Sequence, residues 1–175
     1  SPDQLVRLAL EGSLEEEGFN AFWSQAAANT QSDVLTRAVS ATLGFLDTFP
    51  PLANAWAPRF EEAVSAKAGG VRLAARMDLV LGRPKPDGRQ TMLLADIKTS
   101  DIRENHFDEA MFYALIASIR HGVPPYRSTV ISVSSGEWTD PDVTTDRMLS
   151  VADDIVERVN AGVAVLTEHR PPKLS

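Results

Sequence analysis

The segment RMDLVLGRPKPDGRQTMLLADIKTS, from Arg76 to Ser100, sets two mostly apolar runs on either side of a loop rich in Pro and Gly. Short apolar runs flanking such a loop are typical of two antiparallel strands joined by a turn. Each run carries one acid, Asp78 in the first and Asp96 in the second. Because burying a carboxylate is costly, these two acids call for a partner or a function.

The neighbouring sequence extends this pattern to three strands. RFEEAVSAK (59–67) precedes the Gly69-Gly70 turn and VRLAARMDLVLG (71–82) follows it, which together with TMLLADIKTS (91–100) predicts a three-stranded antiparallel meander. Helical spacing lies on both sides of the meander, and one further strand, STVISVSS (128–135), follows it. The order favours an α/β fold with a mixed central sheet flanked by helices and preceded by an N-terminal helical region.

The helical segments have predicted ends. In the N-terminal region we expect helices in PDQLVRLALEG, in GFNAFWSQAAAN and in SDVLTRAVSATLGFLDTF, the last capped by Ser32 or Asp33 and stopped by Pro50-Pro51. Beyond the meander, FDEAMFYALIASIRHG is expected to end at Gly122 and TTDRMLSVADDIVERVNAG at Gly162.

Composition limits the class of protein. At 175 residues and 43% hydrophobic, the chain is long enough for one well-packed domain. It contains no Cys, which excludes disulfides and a protein-ligated iron–sulfur cluster, and no apolar run reaches the roughly 20 residues of a membrane span. We therefore expect a cytoplasmic protein with no membrane association. Because the chain begins with Ser rather than Met, the presence of flanking segments stays open.

The net charge of -7 argues against a generally basic surface for nucleic acid. Any site for a polyanion must then be local. A metal site lined by carboxylates would itself contribute to this acidic balance.

Strand alternation groups the two acids with basic side chains. Asp78 shares a face with Arg72 and Arg76, and Asp96 shares one with Lys98, so both acids are expected to lie off the core face of the sheet. If the two strands pair through the loop, both carboxylates and the ammonium lie at one end of the sheet, a set suited to Mg²⁺ and to attack on a phosphate. The alternative is a solvated strand edge with Asp78 paired to an arginine.

These motifs resemble the PD-(D/E)XK nuclease superfamily, and its RecB-like branch in particular. The matching segments are ARMDLVLG, MLLADIKTS and the helix DEAMFYALI, in that order. The resemblance implies a restriction-endonuclease-like core over residues 58–175, with residues 1–57 forming an N-terminal helical region packed on it. It also implies a nuclease that uses Mg²⁺ or Mn²⁺ on DNA, expected to be single-stranded or frayed.

The resemblance assigns roles to particular residues. Asp78 and Asp96 would bind the metal, with the backbone carbonyl of Ile97 as a further ligand, and Lys98 would be the catalytic lysine. A preceding acid usually completes the set in this family, and of the two adjacent candidates, Glu61 and Glu62, we favour Glu62. Further candidates around the site, which would support the metal ligands or bind substrate, are Arg76, Thr99, Arg103, Glu109 and Tyr113.

Some positions depart from the family pattern. Ala75 replaces the usual Gly, Glu109 replaces the Gln of Q-x-x-x-Y while Tyr113 matches it, and no upstream His is present. His106 is more readily a loop or cap residue than a substrate contact. The three tryptophans, Trp23, Trp56 and Trp138, are candidates for base stacking, although tryptophan more commonly fills a core.

The departures leave a second hypothesis open. The chain is then an inert nuclease-fold module that binds DNA or other subunits of a larger repair, defence or phage complex. Hydrolysis of RNA or of a nucleotide is a third reading, since it would use the same acids.

Overall fold

The structure is a computed structural model that describes residues 1–49, 51–85 and 87–168. In chain order, its helices and strands are α1 (Pro2–Ser13), α2 (Glu17–Gln25), α3 (Ala28–Thr48), a 3₁₀ turn (Asn54–Trp56), β1 (Arg59–Ala68), β2 (Val71–Leu81), β3 (Leu93–Lys98), α4 (Glu104–His121), β4 (Arg127–Ser132), β5 (Trp138–Thr139) and α5 (Thr145–Glu168). The predicted stop at Pro50 and the end of the predicted core, 169–175, lie outside the described residues.

The five strands form one sheet in the order β1-β2-β3-β4-β5. Both β1–β2 and β2–β3 pair antiparallel, which confirms the predicted meander. The N–H of Tyr126 donates to the carbonyl of Met92, and the N–H of Val133 donates to the carbonyl of Lys98. Because these two bonds advance in the same direction along both chains, β4 runs parallel to β3. The predicted α/β class with a mixed sheet is therefore confirmed.

Contacts between Cα atoms divide the chain into two compact units. One contains Ser1–Leu52, Ile97–Ile102 and Ile131–Trp138, and the other contains Ala53–Asp96, Arg103–Val130 and Thr139–Ser175. The sequence-based division at residue 57 stays a prediction.

The core of the second unit joins strands β1, β2 and β3 to helix α4. Its larger buried side chains are Val64, Leu73, Met77, Val80, Met92, Leu94 and Ile116. Burial of each such side chain stabilises the fold by about 1.5–3 kcal/mol. Helix α4 ends as predicted at Gly122, whose φ of 74° is the left-handed conformation that glycine adopts without strain.

Two glycines allow close approach of backbone segments. In the second unit, Gly82 ends β2 with φ +76°, and a Cβ there would lie 2.0 Å from the carbonyl oxygen of Thr91. In the first unit, a Cβ on Gly44 of α3 would lie 2.0 Å from the carbonyl oxygen of Val133. Neither position accepts a side chain unless the backbone moves.

The predicted start of α3 is wrong. The helix begins at Ala28, so Ser32 and Asp33 lie inside it and do not cap it. The segment predicted as one helix through Asn29 is instead divided at Ala26 and Ala27, which both have extended backbone. The N–H of Gln31 donates to the carbonyl of Ala27 at 3.0 Å, so the first turn of α3 is already closed before Ser32.

The C-terminal elements also differ from expectation. Helix α5 continues through Gly162 to Glu168, because a single glycine costs a helix only about 1 kcal/mol. Strand β4 ends at Ser132, and the two-residue strand β5 follows where no element was predicted. Two residues are too few to show an alternating pattern.

Candidate active site

Asp78 and Asp96 lie at matching positions of β2 and β3. Leu79 pairs with Ala95 at one end of the β2–β3 ladder, and Asp78 and Asp96 are the residues directly beyond this pair on the two strands. Opposite residues in such a ladder have Cα atoms about 4.5–5.5 Å apart and side chains on the same face. The hairpin therefore brings together the two acids that the sequence singled out.

The surroundings of Asp96 are more buried than alternation suggested. Asp96 is only 3% exposed, and its neighbours Leu94 and Ala95 are each 2% exposed. Both faces of β3 are covered at this point. The expectation that the acids lie off the core side is therefore wrong for Asp96, since Leu94, on its own face, belongs to the core cluster.

Helix α4 brings a second pair of polar side chains. The Tyr113 hydroxyl donates a hydrogen bond of 2.9 Å to Glu109 Oε1, one helical turn away. Tyr113 is partly buried and packs against the core cluster of the second unit. The Glu109–Tyr113 pair thus retains the spacing of Q-x-x-x-Y with a carboxylate in the amide position.

The acids and this tyrosine form one electrostatic cluster. Burial raises the pKa of the Tyr113 phenol well above its usual value of 10, and the hydrogen bond to Glu109 raises it further. The charges of Glu109, Asp96 and Asp78 add to the rise in pKa, because each destabilises a phenolate nearby. We call these four residues of the second unit the carboxylate cluster.

Glu62 and Glu61 are each ion-paired with an arginine. Glu62 Oε2 accepts from Arg59 Nε, and Arg59 also donates to the carbonyl of Gly82 at 2.8 Å. The charge of Glu62 raises the pKa of His121, at the C-terminal end of α4, although burial keeps that pKa below its usual value. The charge of Glu62 therefore acts on the C-terminal end of α4.

Glu61 has an unusual backbone. It lies in β1 between the pairs Phe60–Leu79 and Glu62–Met77, level with Asp78, and has φ +49°. A left-handed residue inside a strand redirects its side chain, so the simple alternation rule does not apply here. Its exposed carboxylate lies 4.0 Å from Arg76. That either glutamate is a metal ligand stays a prediction.

Ile97, Lys98 and Thr99 belong to the first unit. Lys98 is the last residue of β3, half-buried, and its carbonyl accepts from Val133. Ile97 precedes it in the strand. Exposed Thr99 lines a groove together with Arg37 of α3, Val133 and two serines.

The remaining candidates lie at the start of α4. The exposed Arg103 is its N-cap residue, and its backbone N–H donates to His106 Nδ1 at 3.0 Å. His106 is buried and serves as a cap, the role favoured by the sequence. This bond makes Nδ1 the acceptor, so the neutral ring carries its proton on Nε2.

Searches of the described residues and of known proteins gave three negative results. Among residues 1–49, 51–85 and 87–168, no three His, Cys, Asp or Glu side chains form a group able to hold a metal ion by themselves. Within the same ranges, no helix has both the length and the apolar character needed to cross a bilayer. Neither the family models nor the curated proteins searched contain a match to this chain.

Sequence reasoning missed two features. The Arg59–Glu62 ion pair was not foreseen, although its spacing of three residues could have suggested a local contact. Tyr126 was also not predicted as a functional residue. Its position between the Pro124-Pro125 pair and Arg127 is the one sequence signal that indicates an exposed turn.

Proposed function

We propose that this chain is a metal-dependent nuclease of the PD-(D/E)XK type, close to the RecB-like branch, with a restriction-endonuclease-like core. Its substrate is single-stranded or frayed DNA, and its reaction is hydrolysis of a phosphodiester bond. The carboxylate cluster and Lys98 carry the proposal.

The register of β2 and β3 is the observation that supports this function best. Two carboxylates directly beyond the pair Leu79–Ala95 on neighbouring strands repel each other, and one of them, Asp96, is almost fully buried. Acidic side chains that lie close together, one of them buried, are typical of a site that binds a cation or performs chemistry.

The donor set fits Mg²⁺ or Mn²⁺. These ions need only one or two protein carboxylates, because water and substrate phosphate oxygens complete their coordination. Asp78 and Asp96 would hold the ion, with the Ile97 carbonyl as the further ligand that the family resemblance implies. The bound ion would neutralise phosphate charge and make a water molecule more acidic.

Lys98 is assigned to the attacking water. It is two residues beyond Asp96 in β3, so strand alternation directs it to the same face. Its ammonium can orient the water and offset the negative charge that develops on the phosphate. The water oxygen forms the new bond to phosphorus and gives up a proton to solvent, the bond to the departing sugar oxygen breaks, and that oxygen takes up a proton from solvent.

Glu109 is assigned as the third acid in place of Glu61 or Glu62. Its carboxylate accepts the hydrogen bond of the Tyr113 hydroxyl. Its charge raises the pKa of Tyr113, as the charges of Asp78 and Asp96 also do. The Tyr113 hydroxyl orients it, and the helix holds both at one-turn spacing.

Cleavage of an end-labelled single-stranded oligonucleotide with Mn²⁺ tests the function. We expect Asp96→Asn and Lys98→Ala to reduce the rate by at least about 100-fold, the lower range for loss of a general acid–base or electrostatic group. Asp108→Asn and Lys67→Ala are matched controls, because both are exposed residues outside the cluster. Their rates should equal the wild-type rate.

Circular dichroism of all four variants checks that they are folded. Cleavage that survives both Asp96→Asn and Lys98→Ala would overturn the assignment. Oligonucleotide binding with no cleavage by the wild-type chain, in either Mg²⁺ or Mn²⁺, would favour the inert binding module instead.

A further inference from the structure

A groove of about 660 Å³ lies in the second unit, beside the loop that joins β2 to β3. Leu81 and Leu93, at the loop ends of the two strands, form part of its wall. Its chemically distinctive lining residues are Trp56, Arg83, Lys85, Gln90 and Tyr126. The groove thus combines two aromatic rings, two cations and an amide in a chain of net charge -7.

The two aromatic side chains are exposed but held on fixed backbone. Trp56 is 42% exposed and Tyr126 is 59% exposed. The carbonyl of Trp56 accepts the N–H of Gly82, and the N–H of Tyr126 donates to the carbonyl of Met92. Large rings that remain accessible on rigid segments are suited to stacking with flat ligands.

Arg127 further orders the Tyr126 ring. Its guanidinium carbon lies 5.5 Å from the ring centroid, and Asp140 accepts a hydrogen bond from the same guanidinium. The cation covers one face of the ring, which leaves the exposed remainder for a ligand.

The two cations of the groove, unlike two neighbouring arginines, form no ion pair within the described residues. Arg89 and Arg127 are each ion-paired, with Asp87 and Asp140 respectively. Arg83 and Lys85 are exposed, and within 1–49, 51–85 and 87–168 neither is joined to a carboxylate. The groove therefore presents positive charge that is available to a polyanion.

The groove is close to the carboxylate cluster. Leu81 is three residues from Asp78 along β2, and Leu93 is three residues from Asp96 along β3. At roughly 3.3 Å per residue, the acids lie about 10 Å from the groove wall. Its volume is within the roughly 300–1,000 Å³ of ligand pockets and suits a short stretch of single strand rather than a duplex.

We propose that this groove binds single-stranded nucleic acid, with bases stacked on Trp56 and Tyr126 and phosphates held by Arg83 and Lys85. That the groove delivers a strand to the acids for cleavage rests on the proposed function. That the groove binds a single strand does not. Stacking is tolerant of sequence, so the groove selects single strands over duplexes and has little base preference.

Fluorescence anisotropy of a fluorescein-labelled oligothymidylate, measured on the full chain in EDTA, tests the proposal. We expect Trp56→Ala and Tyr126→Ala each to weaken binding by about tenfold or more. Trp138→Ala, which removes a tryptophan that is 64% exposed and not among the groove residues, should leave binding unchanged.

The salt dependence tests the two cations. Each phosphate contact to a single strand contributes about 0.7 to the slope of log K against log salt, so Arg83→Gln/Lys85→Gln should reduce that slope by about 1.4. Arg147→Gln/Arg158→Gln removes two exposed arginines of α5 and is the charge-matched control.

Four results would overturn the proposal: no binding of the oligonucleotide by the wild-type chain, wild-type affinity in the groove variants, equal affinity for a duplex, or equally effective competition by polyglutamate. Because binding is measured without a metal, failure of cleavage leaves this test intact. If the chain cleaves DNA but the groove variants bind normally, only the groove proposal is lost.

Discussion

The Tyr113 hydroxyl donates a hydrogen bond of 2.9 Å to the Glu109 carboxylate. The charges of Asp78 and Asp96 also raise the pKa of this tyrosine. We expect Glu109→Gln to lower the pKa of Tyr113, because a negative charge that opposes the phenolate is removed. In a Tyr126→Phe background Tyr113 is the single remaining tyrosine, so its ultraviolet absorbance reports this pKa alone.

The same shift has a consequence for stability. The pKa of Tyr113 is higher in the folded chain than its ordinary value of 10 in the unfolded chain, so the unfolded chain loses its proton first as the pH rises. The free energy of unfolding should therefore fall above about pH 10, and Tyr113→Phe should reduce that fall.

An unchanged Tyr113 pKa in Glu109→Gln would contradict the first of these predictions, because it would mean that the two side chains are separated in solution.

The placement of Glu62 can be tested through His121. The charge of Glu62 raises the pKa of His121, against the larger lowering caused by burial. Glu62→Gln should therefore lower the His121 pKa further, as measured by the NMR shift of its ring proton across pH. Glu61→Gln serves as the neighbouring control. If Glu62→Gln leaves His121 unaffected but lowers the pKa of Tyr113, Glu62 belongs to the carboxylate cluster after all.

Much of the fold could be predicted from the sequence because its signals are local. The Gly69-Gly70 turn, the Pro- and Gly-rich loop and strand alternation were sufficient for the meander, which places Asp78 and Asp96 directly beyond the pair Leu79–Ala95. Helix ends were less predictable, since α3 begins at Ala28, one turn before the expected caps, and α5 continues past Gly162 in spite of the low helix propensity of glycine.

The third acid could not be chosen from the sequence. Alternation predicts that Glu61 and Glu62 point to opposite faces, but the left-handed backbone of Glu61 and the ion pair of Glu62 with Arg59 determine where each carboxylate lies. The position of Glu109 beside Tyr113 follows from helical spacing alone. Its position near the two aspartates depends on how α4 packs against the sheet, which no local pattern specifies.

Gly82 should be far less tolerant of substitution than Gly69. Both have positive φ, but a Cβ on Gly69 meets nothing within 4 Å, whereas on Gly82 it meets the Thr91 carbonyl. Gly69→Ala should cost about 1–2 kcal/mol from its backbone conformation. Gly82→Ala should cost about 2–5 kcal/mol, because overpacking is added. Urea unfolding measures both, and equal costs would contradict the close approach at Gly82.

Metal binding should stabilise the folded chain. With Mn²⁺ at 100 times its Kd, the gain is about 2.7 kcal/mol. For a domain of this size that corresponds to a rise in Tm of roughly 5–10 °C. Asp78→Asn and Asp96→Asn should each reduce or abolish the rise, whereas Asp108→Asn should retain it. An equal rise in all of these variants would place the bound Mn²⁺ away from the acid pair.

The most direct test of the central claim, that Asp78 and Asp96 form one metal site, is anomalous X-ray diffraction from crystals soaked in Mn²⁺. We expect a manganese peak between the two carboxylates. Saturating Mn²⁺ with no peak there, in crystals of a chain that still cleaves DNA, would contradict it.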